Sequence, residues 1–234
     1  MTYPVYVLTN DHHLWLLKGF CYLFQKYWPY QPVTIFGYHP PQFALPDGFS
    51  FKSLGPTNRP YQRWSDGLIE MIKKIESETF ILMLEDYWLT KEVNYSGLLY
   101  LYGDMLSAKI DWLRLDLSGE RASKKQAKSY SVMSGYSIIE TPPNTPYQLS
   151  LQTAIWNKAL FLSVLRPGES PWDCEIEGSK RISNHPDWFV LGAVEPIIHY
   201  VPVYRTGRKS FFKLDQLSKE DLHYLKKQGY LNGT

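Results

Sequence analysis

The chain has 234 residues, 44% hydrophobic and 21% charged, with 25 Lys and Arg against 23 Asp and Glu for a net charge of +2. These proportions exclude a globally disordered polypeptide, and the length suffices for one large domain with a sizeable core. Near-neutrality leaves a polyanionic partner undecided, since a local patch can bind where the total charge does not.

Eight Trp and 18 Tyr suit stacking on sugars or bases, although packing accounts for most of them. Cys21 and Cys174 form no CxxC pair and are expected as reduced, buried thiols in a cytoplasmic protein. The opening MTYPVYVLTNDHH lacks a basic and then apolar leader pattern. The apolar run from Trp188 to Tyr204 is broken by Glu195, Pro196, His199 and Pro202, so it does not read as a membrane span.

In chain order, Tyr3 to Thr9 reads as a buried strand leading to Asn10-Asp11, residue types that cap helices. Leu16, Leu17, Phe20, Leu23, Phe24 and Tyr27 follow at helical spacing, and Pro29 ends that helix. Val33 to Phe36 is a second strand, and a Pro- and Gly-rich loop leads to an extended piece near Phe51-Lys52-Ser53. Ser65-Asp66 is expected to cap a helix with the apolar face Leu68, Ile69, Ile72 and Ile75. The strand FILML (80–84) follows, its continuous apolarity marking burial on both faces. A helix over Leu98 to Leu106 and an alternating strand over Ile110 to Leu117 continue the pattern, which predicts an α/β fold with a mostly parallel, doubly wound sheet flanked by helices.

The second half is less regular. The stretch Arg121 to Lys128 reads as a solvated basic loop. Extended pieces are expected at Ser131 to Glu140 and Tyr147 to Leu151, then a helix over Ile155 to Leu165. Ser170-Pro171-Trp172-Asp173 has the form of a capped helix start, and the helix from Ser218 through Lys227 is closed by Gly229. No internal repeat or linker divides the chain. It is expected to be a single domain, with a more regular half at about 1–118 and a less regular half at about 119–234.

Glu85 and Asp86 stand directly after the buried strand, where open α/β sheets bind ligands. Carboxylates there tolerate a phosphate only with a divalent cation between them, and Mg²⁺ or Mn²⁺ is commonly held by one or two carboxylates plus phosphate oxygens. Alternation along a strand makes Asp86 the candidate metal ligand, with Glu85 on a ribose, on a backbone group or in a structural role. The opposing reading is that the pair caps the next turn. GxGxxG, P-loop, HExxH and GxSxG patterns are missing, which argues against the dehydrogenase, P-loop, zincin and hydrolase classes.

The order of three stretches resembles the GT-A glycosyltransferases, in particular small bacterial and phage proteins of surface-polysaccharide synthesis: Trp64-Ser-Asp-Gly-Leu68, FILMLEDYWLT (80–90), and SLQTAIWNK (150–158) followed by ESPWDCE (169–175). The resemblance implies a metal-assisted transferase using a nucleotide-sugar donor such as a UDP-sugar. Leu84-Glu85-Asp86 lies where the family has DxD, with Leu84 in the first acidic position. It further implies donor contacts from Thr9, Asp11, Asp66, Glu85 and Asp86, a metal (Mn²⁺ or Mg²⁺) on Asp86 and His199, and acceptor contacts from Gln152, Trp156 and Trp172. Glu175 is implied as general base, with Asp173 beside it and expected to pair with Ser170. A saccharide acceptor is expected. The alternatives are modified duplex DNA, met by Arg121, Lys124, Lys125 and Lys128 and by Arg205, Arg208, Lys209 and Lys213, or a non-catalytic nucleotide- or carbohydrate-binding domain.

Overall fold

The computed structural model describes residues 3–123, 126–142, 144–205 and 210–232. Its strands are β1 Val5–Leu8, β2 Val33–Gly37, β3 Phe49–Ser53, β4 Thr79–Leu84, β5 Tyr87–Leu89, β6 Trp112–Asp116, β7 Lys128–Met133, β8 Tyr136–Glu140, β9 Ala154–Asn157, β10 Phe189–Ala193, β11 Tyr200–Pro202, β12 Tyr204–Arg205 and β13 Ser210–Phe211. The helices are α1 Leu17–Tyr27, α2 Trp64–Lys74, α3 Tyr95–Ser107, α4 Lys158–Val164, α5 Pro171–Ile182 and α6 Lys219–Lys227.

The fold is α/β, as the strand and helix periods require. A nine-stranded sheet has the order β3-β2-β1-β4-β9-β6-β10-β8-β7. β2 and β3 run parallel, as do β6 and β10. Both β4 and β6 oppose β9 and therefore share a direction. Phe80 to Met83 of β4 are fully buried, each contributing about 1.5–3 kcal/mol relative to exposure.

Backbone contacts divide the chain into two compact units, the first made of residues 1–6, 59–83 and 94–197, the second of residues 7–58, 84–93 and 198–234. Strands β1 and β4 are themselves divided, so their last residues count with the second unit.

Several expected elements differ in form. Asn10-Asp11 does not cap α1, which is entered through a short 3-10 turn, Leu14–Leu16, without a side-chain cap. Ser65 and Asp66 lie inside the first turn of α2 rather than at its cap, because the helix begins at Trp64. Ser131 to Glu140 folds back on itself as the β7–β8 hairpin, with Ser134 and Gly135 both at positive φ in its turn. Tyr147 to Leu151 forms no strand. The helix expected from Ile155 is instead β9, followed by α4, which Asn157 caps by accepting the Leu160 N–H at 3.2 Å. A short apolar run of β-branched and aromatic residues fits either period, and pairing on both edges decides for strand.

Two expectations are met closely. Ser170 and Asp173 form a reciprocal capping box with Pro171 at the first helical position of α5. Ser218 caps α6 by accepting the Asp221 N–H at 3.0 Å, and Gly229 follows at φ +69°.

Helix α6 is fastened to α1 within the second unit. Asp221, fully buried, accepts from Lys26 Nζ at 2.7 Å and from the Tyr27 hydroxyl at 2.5 Å, and Tyr22 stacks on Tyr224 at 4.1 Å. Burial pushes the Asp221 carboxyl up, but hydrogen bonds from Lys26, Ser218 and Tyr27 outweigh it and hold the group below its ordinary value. Asp221→Asn should therefore cost roughly 1.5–3 kcal/mol, as for hydrogen bonds to a charged group, lowering Tm by about 2–4 °C per kcal/mol. A carboxylate with a depressed native pKa stabilises fully above about pH 4 and loses that contribution as pH falls through its native value. Thermal denaturation should show the wild-type and variant Tm converging in acid. Equal values at pH 7 would refute the fastening.

Candidate functional site

The sequence-derived residues fall into two groups, one in each unit.

In the second unit, the residues after β1 and β4 are tied to histidines that the sequence reading passed over. Glu85, buried behind the strand, lies with Oε1 2.8 Å from His13 Nδ1. Burial pushes the His13 imidazole down, but the hydrogen bond and charge of Glu85, with the charge of Asp86, lift it above the ordinary 6.5. The Glu85 carboxylate thus stabilises the protonated form of His13. The His13 ring also meets Tyr204 edge-on at 5.3 Å. Asp11 is held by His39, whose backbone N–H reaches Oδ1 at 3.1 Å and whose Nδ1 lies 2.7 Å from Oδ2. Thr9 is buried, with its N–H on the Phe36 carbonyl at 2.9 Å.

The metal pair expected from the resemblance is not brought together. In the β5–β11 ladder Tyr200 stands opposite Leu89 and Pro202 opposite Tyr87. His199 consequently sits at one end, its carbonyl accepting the Thr90 N–H at 3.0 Å. Asp86 is at the other, its carbonyl accepting the Val203 N–H at 2.9 Å. Four residue steps separate them, roughly 13 Å of strand, whereas both would need to lie about 2 Å from one ion. No group of three or more His, Cys, Asp or Glu fit to hold a metal exists among the described residues. Leu84 stands in the first acidic position of the strand end, and Glu85 is engaged by His13.

In the first unit, Asp66 has both oxygens engaged by protein: Oδ1 accepts the Gly168 N–H at 2.7 Å, and Oδ2 pairs with Arg63 at 2.6 Å. Beside it, Ser65 accepts the Glu169 N–H at 2.9 Å and donates to the Arg166 carbonyl at 2.8 Å. This region reads as a latch between the start of α2 and the loop before α5. Trp156, expected on the acceptor, is 0% exposed. It lies in β9 opposite Phe80 and Arg114, stacked on Phe161 at 3.8 Å, and cannot touch a ligand. Gln152 is partly exposed just before β9.

The acids around Trp172 separate by partner. Glu169 is bound on both oxygens by Arg181, at 2.8 and 2.9 Å. Asp173 Oδ2 accepts from the Ser170 hydroxyl at 2.6 Å and is committed to the capping box. Among the described residues, Glu175 accepts only the Leu151 N–H, at 2.7 Å on Oε1. Burial raises its carboxyl above the ordinary range, against the lowering effect of the Leu151 N–H and of Arg114, while Glu120 adds to the rise. Trp172 is 53% exposed and lies 5.3 Å from the Tyr61 ring, whose hydroxyl is pushed up by burial and by Asp173 and Glu175. A carboxylate of raised pKa beside two aromatic rings can accept a proton from a bound hydroxyl.

Near Glu175 lies a buried charged network. Every residue of β6 is buried, including Arg114 and Asp116. Arg114 donates to the Ser150 carbonyl and lies 5.3 Å from the Trp156 ring. Arg121, expected on a solvated basic loop, is 0% exposed. It donates to the Tyr147 carbonyl, the Gln148 side chain and the Thr141 hydroxyl. Burial, reinforced by Arg114, drops its guanidinium to about 9. Gly192 of β10 permits this burial, since a Cβ there would fall 2.7 Å from that of Arg121. Arg121 is thus withdrawn from the basic stretch proposed for DNA. Lys128 and Lys213 are exposed, Arg205 closes β12, and Lys124, Lys125, Arg208 and Lys209 lie outside the described residues.

No protein-family model matches the sequence, and no curated protein matches it. Among solved structures, the chain is similar to S. aureus TarS 1-349 in complex with UDP, at 14% identity over 86% of this chain and 59% of that one, with a TM-score of 0.52. It is also similar to the UTP-bound UGPase from Acinetobacter baumannii, at 9% identity over 97% and 94% of the two chains, with a TM-score of 0.53. The likeness is one of fold, and the fold is GT-A-like. The chain spans 36% of another TarS chain and so corresponds to part of that protein.

Glu85→Gln tests the strand-end geometry. Without the carboxylate, the burial of His13 is opposed by Asp86 alone, so the imidazole should titrate lower than in the wild type, as followed by its Cε1–H NMR signal. In the wild type the raised pKa makes the His13 contribution to stability complete below the unfolded histidine value and lost as pH rises through the folded one. An unchanged titration in the variant would break the pairing.

Proposed function

We propose that the chain is a glycosyltransferase using a nucleotide-sugar donor, with uridine the favoured nucleotide and a saccharide hydroxyl as acceptor. The observation that carries this reading is Glu175: a largely buried carboxylate with a raised pKa, its Oε2 without a hydrogen bond from the described residues, on the helix that presents the exposed Trp172. The GT-A-like fold supports it, as do the UDP and UTP named in two similar structures.

In this reading the ends of β1 and β4 receive the donor. Asp11, oriented by His39, and the backbone around Thr9 meet the nucleotide. Asp86 would hold a Mg²⁺ or Mn²⁺ ion together with the diphosphate, and such an ion neutralises charge on the leaving group. His13 and Glu85 fix the shape of the strand end. On the acceptor side, Trp172 and Tyr61 provide flat apolar faces for a sugar ring. Glu175 Oε2 takes the proton of the attacking hydroxyl, and the Leu151 N–H on Oε1 keeps the carboxylate oriented. A raised pKa makes the carboxylate a stronger base than an ordinary glutamate. The burial of Arg121 weakens the phosphate-backbone footprint that a DNA acceptor requires, which favours the saccharide.

Two measurements test the roles. UDP should bind more tightly with Mn²⁺ than with EDTA in calorimetry, and Asp86→Ala should erase the difference; equal affinity in chelator would remove the ion from the reading. Glu175→Gln should lower turnover by roughly 10²–10⁴-fold, the usual value of a general base, with UDP affinity unchanged. Turnover near wild type would move the role away from Glu175.

A further inference from the structure

One face of α5 carries more than the candidate base. Trp172, Ile176, Ser179 and Ser183 recur at three- and four-residue spacing and share a stripe, with Glu175 flanking it toward the buried Cys174, Gly178 and Ile182. The C-terminal part of the stripe, with Lys180, forms one wall of a cavity of about 390 Å³, within the size range of small-ligand sites. The opposite wall is the loop from Asn144 to Tyr147.

Three features mark this cavity as a built site. The loop wall is set from beneath: Arg121 donates to the Tyr147 carbonyl, and Gln148, bound to Arg121, donates back to the Thr141 carbonyl at 2.9 Å. Tyr147 is held at φ +58°, a left-handed conformation unfavourable for a bulky residue, and is 45% exposed. Thr145, only 3% exposed, has a hydroxyl without a hydrogen-bond partner among the described residues.

The chemistry of the lining selects the ligand. Tyr147, Pro146 and Ile176 give an apolar side, while Asn144, Thr145 and Ser183 give an amide and hydroxyls. Lys180 is compensated by Glu177 at 2.6 Å, so the lining presents no unbalanced charge to attract a phosphate or a carboxylate. A flat apolar side facing neutral donors and acceptors matches a neutral sugar ring.

We propose that this cavity is a saccharide subsite for a second ring of the acceptor, which lies along α5 from Trp172 past Glu175 to the loop of Tyr147. Seven residues separate Trp172 from Ser179, about 10 Å of helix, a span for a chain of two or more sugar units rather than one. The acceptor role rests on the proposed function, but saccharide binding can be measured without donor or turnover.

The test is saturation-transfer NMR with a set of neutral di- and trisaccharides built from glucosyl, galactosyl and N-acetylhexosaminyl units. It uses the wild type, Tyr147→Gly and Ser183→Trp, with UDP binding and thermal denaturation recorded for each. Tyr147→Gly removes the ring at a φ that glycine accepts, so folding is retained, and Ser183→Trp fills the rim. The expected result is a signal from at least one saccharide with the wild type, lost in both variants while UDP affinity is unchanged. Signal that persists in either folded variant overturns the subsite. Silence from every saccharide alongside normal UDP binding also overturns it and leaves the donor reading intact; silence from saccharides and UDP together removes both.

Discussion

A guanidinium taken out of water must find acceptors or lose its proton, and Arg121 finds them on one stretch of chain. Removing such a group strands its partners, which is why buried charges order their surroundings so strongly. Here the surroundings are the described residues between Thr141 and Gln148, which make no regular secondary structure and would otherwise have little to define them. Gly192 provides the space and Thr141, Tyr147 and Gln148 provide the acceptors. The neighbouring Arg114 grips the Ser150 carbonyl, one residue before the Leu151 N–H that Glu175 accepts.

The elements most legible in sequence are those whose cause is local. The β4 run needs only its apolarity, and the α5 start needs only Ser170, Pro171 and Asp173, three residues that satisfy one another. Where the deciding partner is distant, the reading fails. Trp156 sits in a segment of ambiguous period and becomes a strand because β4 and β6 flank it. That pairing buries a ring which, on a helix, would have been a plausible sugar platform. Arg114 and Asp116 follow strict alternation, the usual mark of a strand with one wet face, yet both faces of β6 are covered.

The same contrast runs through the candidate site. Glu175 could be preferred over Asp173 from sequence because a capping box consumes an acid three residues after its serine. Asp86 and His199 could not be separated that way, since their distance is fixed by the register of a two-stranded ladder that neither sequence stretch announces. Likewise, His13 and His39 lie in polar loops with no motif, and only the folded chain shows that each is set on a carboxylate. The mixed partners of those carboxylates explain why a strand end rich in acids does not by itself amount to a cation cage.

The order in which the two units are threaded along the chain bears on synthesis. The first unit has all its parts once residue 197 has been made, whereas the second, which includes residues 7–58, must wait for 198–234. Domains generally fold as units as they emerge, N-terminal parts first. Here the early segment has its helix α1 but not Asp221, the buried carboxylate that Lys26 and Tyr27 engage. The nascent chain therefore carries an unfinished α1 surface until residues 198–234 have been made.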